Sequence, residues 1–130
     1  MKLHHIGIIV SSIEEESAIY GFLGYQKDGS ITEDTVQNNR ILFLWHPDSK
    51  ECIELIEPMN QQSSVINLPK GLAHLCYQVD NLDTAIAHIH NNKIGKVFTQ
   101  KLCAPAIGNS EIVFVYFKNK SIIELVELTK

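Results

Sequence analysis

Hydrophobic positions in this chain alternate between strand-like and helix-like spacing, and the order of the two spacings occurs twice. From Leu3 to Val10 apolar side chains crowd a run rich in Ile and Val, which predicts a strand. Ser12-Ile13-Glu14-Glu15 then reads as a capping box, with the serine as cap and Glu15 at the third helical position. Ile13, Ala18, Ile19, Tyr20 and Leu23 continue a helix that Gly24 can stop. Tyr25 to Ser30 predicts a weak strand and Ile41 to His46 a stronger one; Pro47-Asp48-Ser49-Lys50 is a turn. Cys52 to Glu57 predicts a further strand, closed by Pro58. The order is βαβββ.

A polar stretch with a proline near each end (PMNQQSSVINLPK) follows, and then the pattern returns. Gly71 to Val79 predicts a strand. Leu82, Ala85, Ile86 and Ile89 recur at helical spacing behind Asn81, a good cap, and Asn91-Asn92 ends the helix. Lys96 to Leu102 predicts a strand and Ala104 to Ser110 a loop. Ile112 to Phe117 and Ser121 to Leu128 predict strands around the Lys118-Asn119-Lys120 turn. The copies are offset by 69 residues at their starts, His5 to His74, and by 70 at their ends, Glu54 to Glu124. That period exceeds those of solenoid repeats and implies a duplicated half-domain. One half alone is too short to bury a sufficient core. The expected organisation is a single domain over residues 1–130, with module 1 at 1–58, a linker at 59–70 and module 2 at 71–130.

Strand side chains alternate faces. Ile6, Ile8 and Val10 share one face of the first strand, and His5 lies on the other. Leu75, Tyr77 and Val79 oppose His74 in the same way. Ile53 and Leu55 oppose Glu54, and Ile123 and Leu125 oppose Glu124. Each strand thus has an apolar face suited to packing under a helix, with a histidine or glutamate on the opposite face. Two such halves face to face bring two imidazoles and two carboxylates together. That donor set suits zinc, nickel, cobalt or ferrous iron, and two glutamates offset a divalent charge. A six-coordinate ion keeps two positions open to polarise a substrate carbonyl.

Composition narrows the partners. Of 130 residues 45% are hydrophobic and 20% charged, ordinary for a globular protein. Net charge is −4, and the Lys and Arg residues form no stripe in the sequence, so nucleic acid is excluded as the expected partner. No apolar run approaches a membrane span. Met1-Lys2-Leu3-His4-His5 enters a strand without a signal-peptide pattern, so the expected location is the cytoplasm. Three cysteines, Cys52, Cys76 and Cys103, form no Cys-x-x-Cys pair and predict neither a disulfide framework nor a cysteine zinc site.

The pieces His5-Ile6-Gly7-Ile8-Ile9-Val10, Glu54-Leu55-Ile56-Glu57-Pro58, Gly71-Leu72-Ala73-His74-Leu75-Cys76-Tyr77 and Ile123-Glu124-Leu125-Val126-Glu127 resemble, in order and interval, the four strand motifs of the vicinal oxygen chelate superfamily. The likeness covers the whole chain and is nearest to methylmalonyl-CoA epimerases and glyoxalase I (lactoylglutathione lyase). It implies an α+β fold of two tandem βαβββ modules that form a curved sheet cleft, as in glyoxalase, bleomycin-resistance and dihydroxybiphenyl dioxygenase proteins. It implies one divalent metal ion held by His5, Glu54, His74 and Glu124. Glu124 is then a candidate general base or acid, with Glu54 beside it. The implied activity is a lyase or isomerase acting on a small carbonyl or thioester substrate by stabilising its enolate, and a homodimer is expected. There is one departure. Epimerases carry a further glutamate on the way into the third strand. The matching stretch here is Thr35-Val36-Gln37-Asn38-Asn39, with Gln37 nearest and Glu33 and Asp34 close. Glutamine accepts no proton at neutral pH, so two-base epimerisation is in question, and one-base isomerase or lyase chemistry remains.

Two other functions compete. A protein resembling the bleomycin-resistance type sequesters a small molecule such as an antibiotic without catalysis, and usually lacks the full ligand set. A ring-cleaving dioxygenase uses ferrous iron on two histidines and one carboxylate, which Glu54 would crowd. The remaining polar residues have plainer expected roles. His4 faces the helix side, His46 sits at a turn, and His88 and His90 lie on the second helix. Glu57 and Glu127 are expected to be solvated, and Cys52 and Cys76 to be small cleft-wall residues. Asn109 and Ser110 contact substrate only if their loop lines the cleft. Arg40, Lys96 and Lys101 are expected to be surface charge, with a phosphate or carboxylate partner as the alternative.

Overall fold

The computed structural model describes residues 1–129. The chain divides into two compact units, His5–Ala73 and the residues from His74 onward with Met1–His4. The first unit carries β1 (Lys2–Ile9) from His5 onward, α1 (Ile13–Phe22), β2 (Gln26–Asp34), β3 (Asn39–Trp45) and β4 (Cys52–Pro58). Its strands lie in the order β2-β3-β4-β1, with β1 parallel to β4 and the other neighbours antiparallel. The second carries β5 (Gly71–Gln78) from His74 onward, α2 (Leu82–Asn91), β6 (Gly95–Val97), β7 (Leu102–Ala104), β8 (Ser110–Phe117) and β9 (Ile122–Glu127). Its order is β5-β9-β8-β6, with β5 parallel to β9, and β7 also pairs with β8. The architecture is the α+β pair of βαβββ modules that the periodicity predicts.

Each helix packs on the apolar face of its own sheet. In the first unit Val10, Ile13, Leu42, Leu44, Ile53 and Leu55 form the buried core. In the second Val79, Leu82, Ala85, Ile89, Val113, Val115 and Leu125 do so. The helices contribute unequally. α2 buries Leu82, Ala85 and Ile89, whereas α1 buries only Ile13 and leaves Ile19, Phe22 and Leu23 exposed.

Both helices start by the same device. Ser12 accepts from the Glu15 amide at 3.2 Å, and Asn81 accepts from the Thr84 amide at 2.8 Å. The two glutamates expected to be solvated also bind these helix starts. Glu57 accepts from the Ile13 amide at 2.9 Å and Glu127 from the Leu82 amide at 2.7 Å. Each stands near the end of its strand, on the helix side, where the first helical N–H groups lack partners and the helix dipole favours negative charge. Glu57 is further paired with Arg40 at 2.7 Å, and Arg40 reaches Glu14 at 2.9 Å. The guanidinium holds the Glu14 carboxyl below its usual range.

Two strands differ from their sequence-based limits for identifiable reasons. β2 continues past Ser30 to Asp34 because a register shift between Asp28 and Thr32, with Gly29 at φ +82°, absorbs the irregularity that makes the strand look weak. The expected strand from Lys96 to Leu102 is split into β6 and β7. Phe98 donates to the Phe114 carbonyl, but the Phe114 amide donates to the Thr99 hydroxyl at 3.0 Å, so a side chain replaces a backbone partner there. The linker is tied down. Met59 and Ser64 donate to the carbonyls of Asn38 and Gln37, and buried Ser63 donates to the Asn39 side chain at 2.5 Å.

The Glu127→Gln variant is expected to lose roughly 1–2 kcal/mol of stability in a denaturant titration, because a charged acceptor at a helix start is replaced by a neutral one. An unchanged midpoint would show that the carboxylate contributes nothing to anchoring α2.

Candidate functional site

The first unit brings His5 and Glu54 together. Glu54 lies beside Gly7 on β1 and beside Phe43 on β3, and His5 is two residues back along β1 on the same face. His5 Nε2 stands 3.3 Å from Glu54 Oε1. Both residues are buried, His5 completely. The second unit repeats the arrangement. Glu124 lies beside Cys76 on β5 and Phe114 on β8, and His74 is two residues back along β5. His74 Nε2 stands 2.9 Å from Glu124 Oε1, and both are buried. In both units the residue directly beside the glutamate on the parallel strand is small, Gly7 or Cys76.

Each imidazole has an aromatic neighbour on the antiparallel strand. The His5 and Phe43 rings meet edge to face with centroids 5.2 Å apart, and those of His74 and Phe114 do so at 5.5 Å. This geometry is favourable beyond the area it buries. Phe43 and Phe114 are the residues that sequence reasoning missed. Their signal was present in the repeat: Arg40-Ile41-Leu42-Phe43 matches Glu111-Ile112-Val113-Phe114, directly opposite the two glutamates.

Other candidates serve the scaffold. Gln37 is held in the β2–β3 turn, where its amide donates to Asp34 Oδ1 at 2.9 Å and its side-chain oxygen accepts from the Ser64 hydroxyl at 3.1 Å. Asp34 is buried and also accepts from the Val36 amide. Glu33 is exposed and sits opposite Arg40 in the ladder. Ser110 is buried and accepts from the Thr129 amide, and Asn109 occupies the turn before it at φ +59°. Lys101 pairs with Asp83 at 2.7 Å. His46 Nε2 lies 3.0 Å from the Leu23 carbonyl, and its Nδ1 accepts from the amides of Asp48 and Ser49. His88 and His90 are exposed on α2, and Cys76 is wholly buried. Burial pushes the Cys52 thiol up to about 11, which keeps it protonated and unreactive at neutral pH.

The duplicated scaffold matches the model of the Glyoxalase/Bleomycin resistance protein/Dioxygenase superfamily over residues 4–126. The chain belongs to that superfamily. Human mitochondrial methylmalonyl-CoA epimerase is 28% identical over 101 residues, covering 72% of this chain and 54% of the relative. The chain therefore spans about half the length of that curated relative. Among solved structures, a hypothetical protein of Bacillus halodurans C-125 superposes with a TM-score of 0.86 at 23% identity, over 99% of this chain and 95% of that one. Methylmalonyl-CoA epimerase from Mycobacterium tuberculosis gives 0.84 at 23% identity, over 99% and 89%. A variant of the Streptomyces coelicolor methylmalonyl-CoA epimerase in complex with 2-nitronate-propionyl-CoA gives 0.81 at 19% identity, over 100% and 99%. At these identities the structural likeness speaks for the fold.

In this member of the superfamily the donor chemistry fits a divalent cation. Each unit supplies one imidazole nitrogen and one carboxylate oxygen, already adjacent and shielded from bulk water. The edge-to-face contacts set the ring planes. Phe114→Leu should cost about 0.5–1.5 kcal/mol beyond the change in buried area and shift the His74 ring-proton NMR resonances as the ring current is lost. Unmoved resonances would show that Phe114 does not orient the imidazole.

Proposed function

We propose that this chain is a divalent-metal-dependent isomerase or lyase, acting at the carbon next to the carbonyl of a small thioester or related carbonyl compound. The observation that carries the reading is the buried His–Glu pair formed at corresponding positions in each module. His5, Glu54, His74 and Glu124 would together hold one ion of zinc, nickel, cobalt or iron. When bound, the ion supplies Lewis acidity to substrate oxygens and stabilises the negative charge that appears when the neighbouring proton leaves.

The chain's own groups do the rest. Glu124 is the proposed base, and returning the proton makes it the acid. Glu54, its counterpart in the first module, is the assisting carboxylate. Gln37 accepts no proton at neutral pH, and its bonds to Asp34 and Ser64 give it a structural task. Proton transfer therefore falls to these two glutamates. His5 and His74 keep the carboxylates oriented. The superfamily membership supports the reading, and so does the likeness to human methylmalonyl-CoA epimerase. The solved epimerase complexes show relatives holding methylmalonyl-CoA or 2-nitronate-propionyl-CoA, which supports a CoA thioester as the first substrate class to test. A cytoplasmic homodimer is part of the proposal. Among the described residues no helix is long and apolar enough to cross a membrane, and the exposed Ile19 and Phe22 of α1, with Leu23 at its C-cap, form the kind of apolar surface that an interface covers.

The test is deuterium uptake from D2O at the carbon next to the thioester carbonyl of methylmalonyl-CoA, followed by mass spectrometry in the presence of each divalent ion. Exchange above background, reduced at least about 100-fold by Glu124→Gln, is the expected result. No exchange with any ion would contradict the enzyme reading and favour ligand sequestration.

A further inference from the structure

The second unit carries a basic groove of about 500 Å³, lined by Lys93, Lys96, Lys118, Lys120, His90 and Tyr116 among others. Four of the chain's 11 Lys and Arg residues meet there, in a protein of net charge −4. Among the described residues no carboxylate lines the groove. Among the described residues none of the four lysines is ion-paired, whereas Arg40 and Lys101 are both paired with carboxylates. The C-terminal end of the α2 dipole accounts for a cation at Lys93. It does not account for Lys96 on β6 or for Lys118 and Lys120 in the β8–β9 turn.

The duplication provides an internal comparison. Trp45 and Tyr116 each stand two residues beyond the phenylalanine that faces the module's glutamate. Gln26 pairs with Trp45, and Lys96 pairs with Tyr116. The corresponding corner of the first module is filled. Lys50 lies over the Trp45 ring at 5.1 Å, the His46 ring fills the space beside Gly24, and the Tyr25 hydroxyl donates to Glu51. In the second module Phe117 replaces His46, Lys96 replaces Gln26, and four lysines line an open groove. Duplication therefore accounts for Lys120, which matches Lys50 at the same left-handed turn position, but not for Lys93, Lys96 or Lys118.

We propose that this groove binds the phosphate groups of a nucleotide-bearing small molecule. The lysines supply flexible cations for phosphate. Tyr116, 44% exposed, supplies an aromatic surface for a base. The volume suits a small-molecule ligand and is far larger than a single phosphate needs. Tyr116 lies on the same strand face as Phe114, two residues along β8, and Phe114 touches the His74 ring. The phosphates can thus belong to a free nucleotide or to the nucleotide end of a CoA ester whose acyl end reaches His74 and Glu124. The second source rests on the thioester reading above.

Calorimetric titration of the metal-free protein with ADP and with CoA tests the proposal, with a chelator present and at low salt. The expected result is one saturable site per chain, weakened at least about tenfold by the Lys118→Ala/Lys120→Ala pair and by added salt, and unaffected by Lys2→Ala/Lys27→Ala. CoA binding about tenfold tighter than ADP assigns the groove to the tail of an ester; equal affinity assigns it to a free nucleotide. No saturable heat with either ligand would overturn the proposal. So would an affinity indifferent to the lysine pair, or heparin binding as tightly as either nucleotide. Because turnover plays no part, saturable ADP binding in a protein that exchanges no thioester proton retains the groove and removes the enzyme reading.

Discussion

Burial of an imidazole against a carboxylate, made twice, is the interaction around which the two modules are organised. A carboxylate removed from water costs several kcal/mol unless a partner answers its charge and hydrogen-bonding capacity. Glu54 and Glu124 are both almost fully buried, and each is met by a histidine Nε2. Strands that deliver these groups to one face turn the alternate residues to the other, where apolar side chains pack under the helix. Ile53 and Leu55, with Val10, Ile13, Leu42 and Leu44, use that face in the first unit. Sheet chemistry and core packing are thus two consequences of one alternation.

The same strands carry a second carboxylate three residues later, and the odd spacing sends it to the opposite face. Glu54 and Glu124 turn to the imidazoles, while Glu57 and Glu127 turn to the helix starts. A short stretch of β4 or β9 therefore orients the candidate site and anchors the helix that covers its back. Displacement of either helix would be felt on the strand that carries the candidate ligand. Where the modules diverge, they do so away from this shared frame. The corner beyond Trp45 is closed by His46, Tyr25 and Glu51, and the corner beyond Tyr116 is open and basic.

Much of this was legible because it depends on period and parity. The βαβββ order, the caps at Ser12 and Asn81, and the face that holds each histidine and glutamate follow from alternation and from two aligned copies. Less legible were features set by pairing between distant residues. Glu57 and Glu127 look solvated in one dimension, because only the fold brings Ile13 and Leu82 to them. Phe43 and Phe114 look like ordinary core residues until the antiparallel register puts them opposite Glu54 and Glu124. Thr99 breaks a strand through a hydroxyl that no propensity records. Lys96 looks like scattered charge, because Lys93, Lys118 and Lys120 join it only across β6, β8 and a turn.

The central claim is that His5, Glu54, His74 and Glu124 hold one divalent ion between them. Elemental mass spectrometry of the purified protein, beside the Glu124→Gln variant, addresses it most directly. The account predicts about one ion of nickel, cobalt, zinc or iron per chain, with a clear reduction in the variant. No bound metal in the native protein, even after reconstitution with each ion, would contradict it.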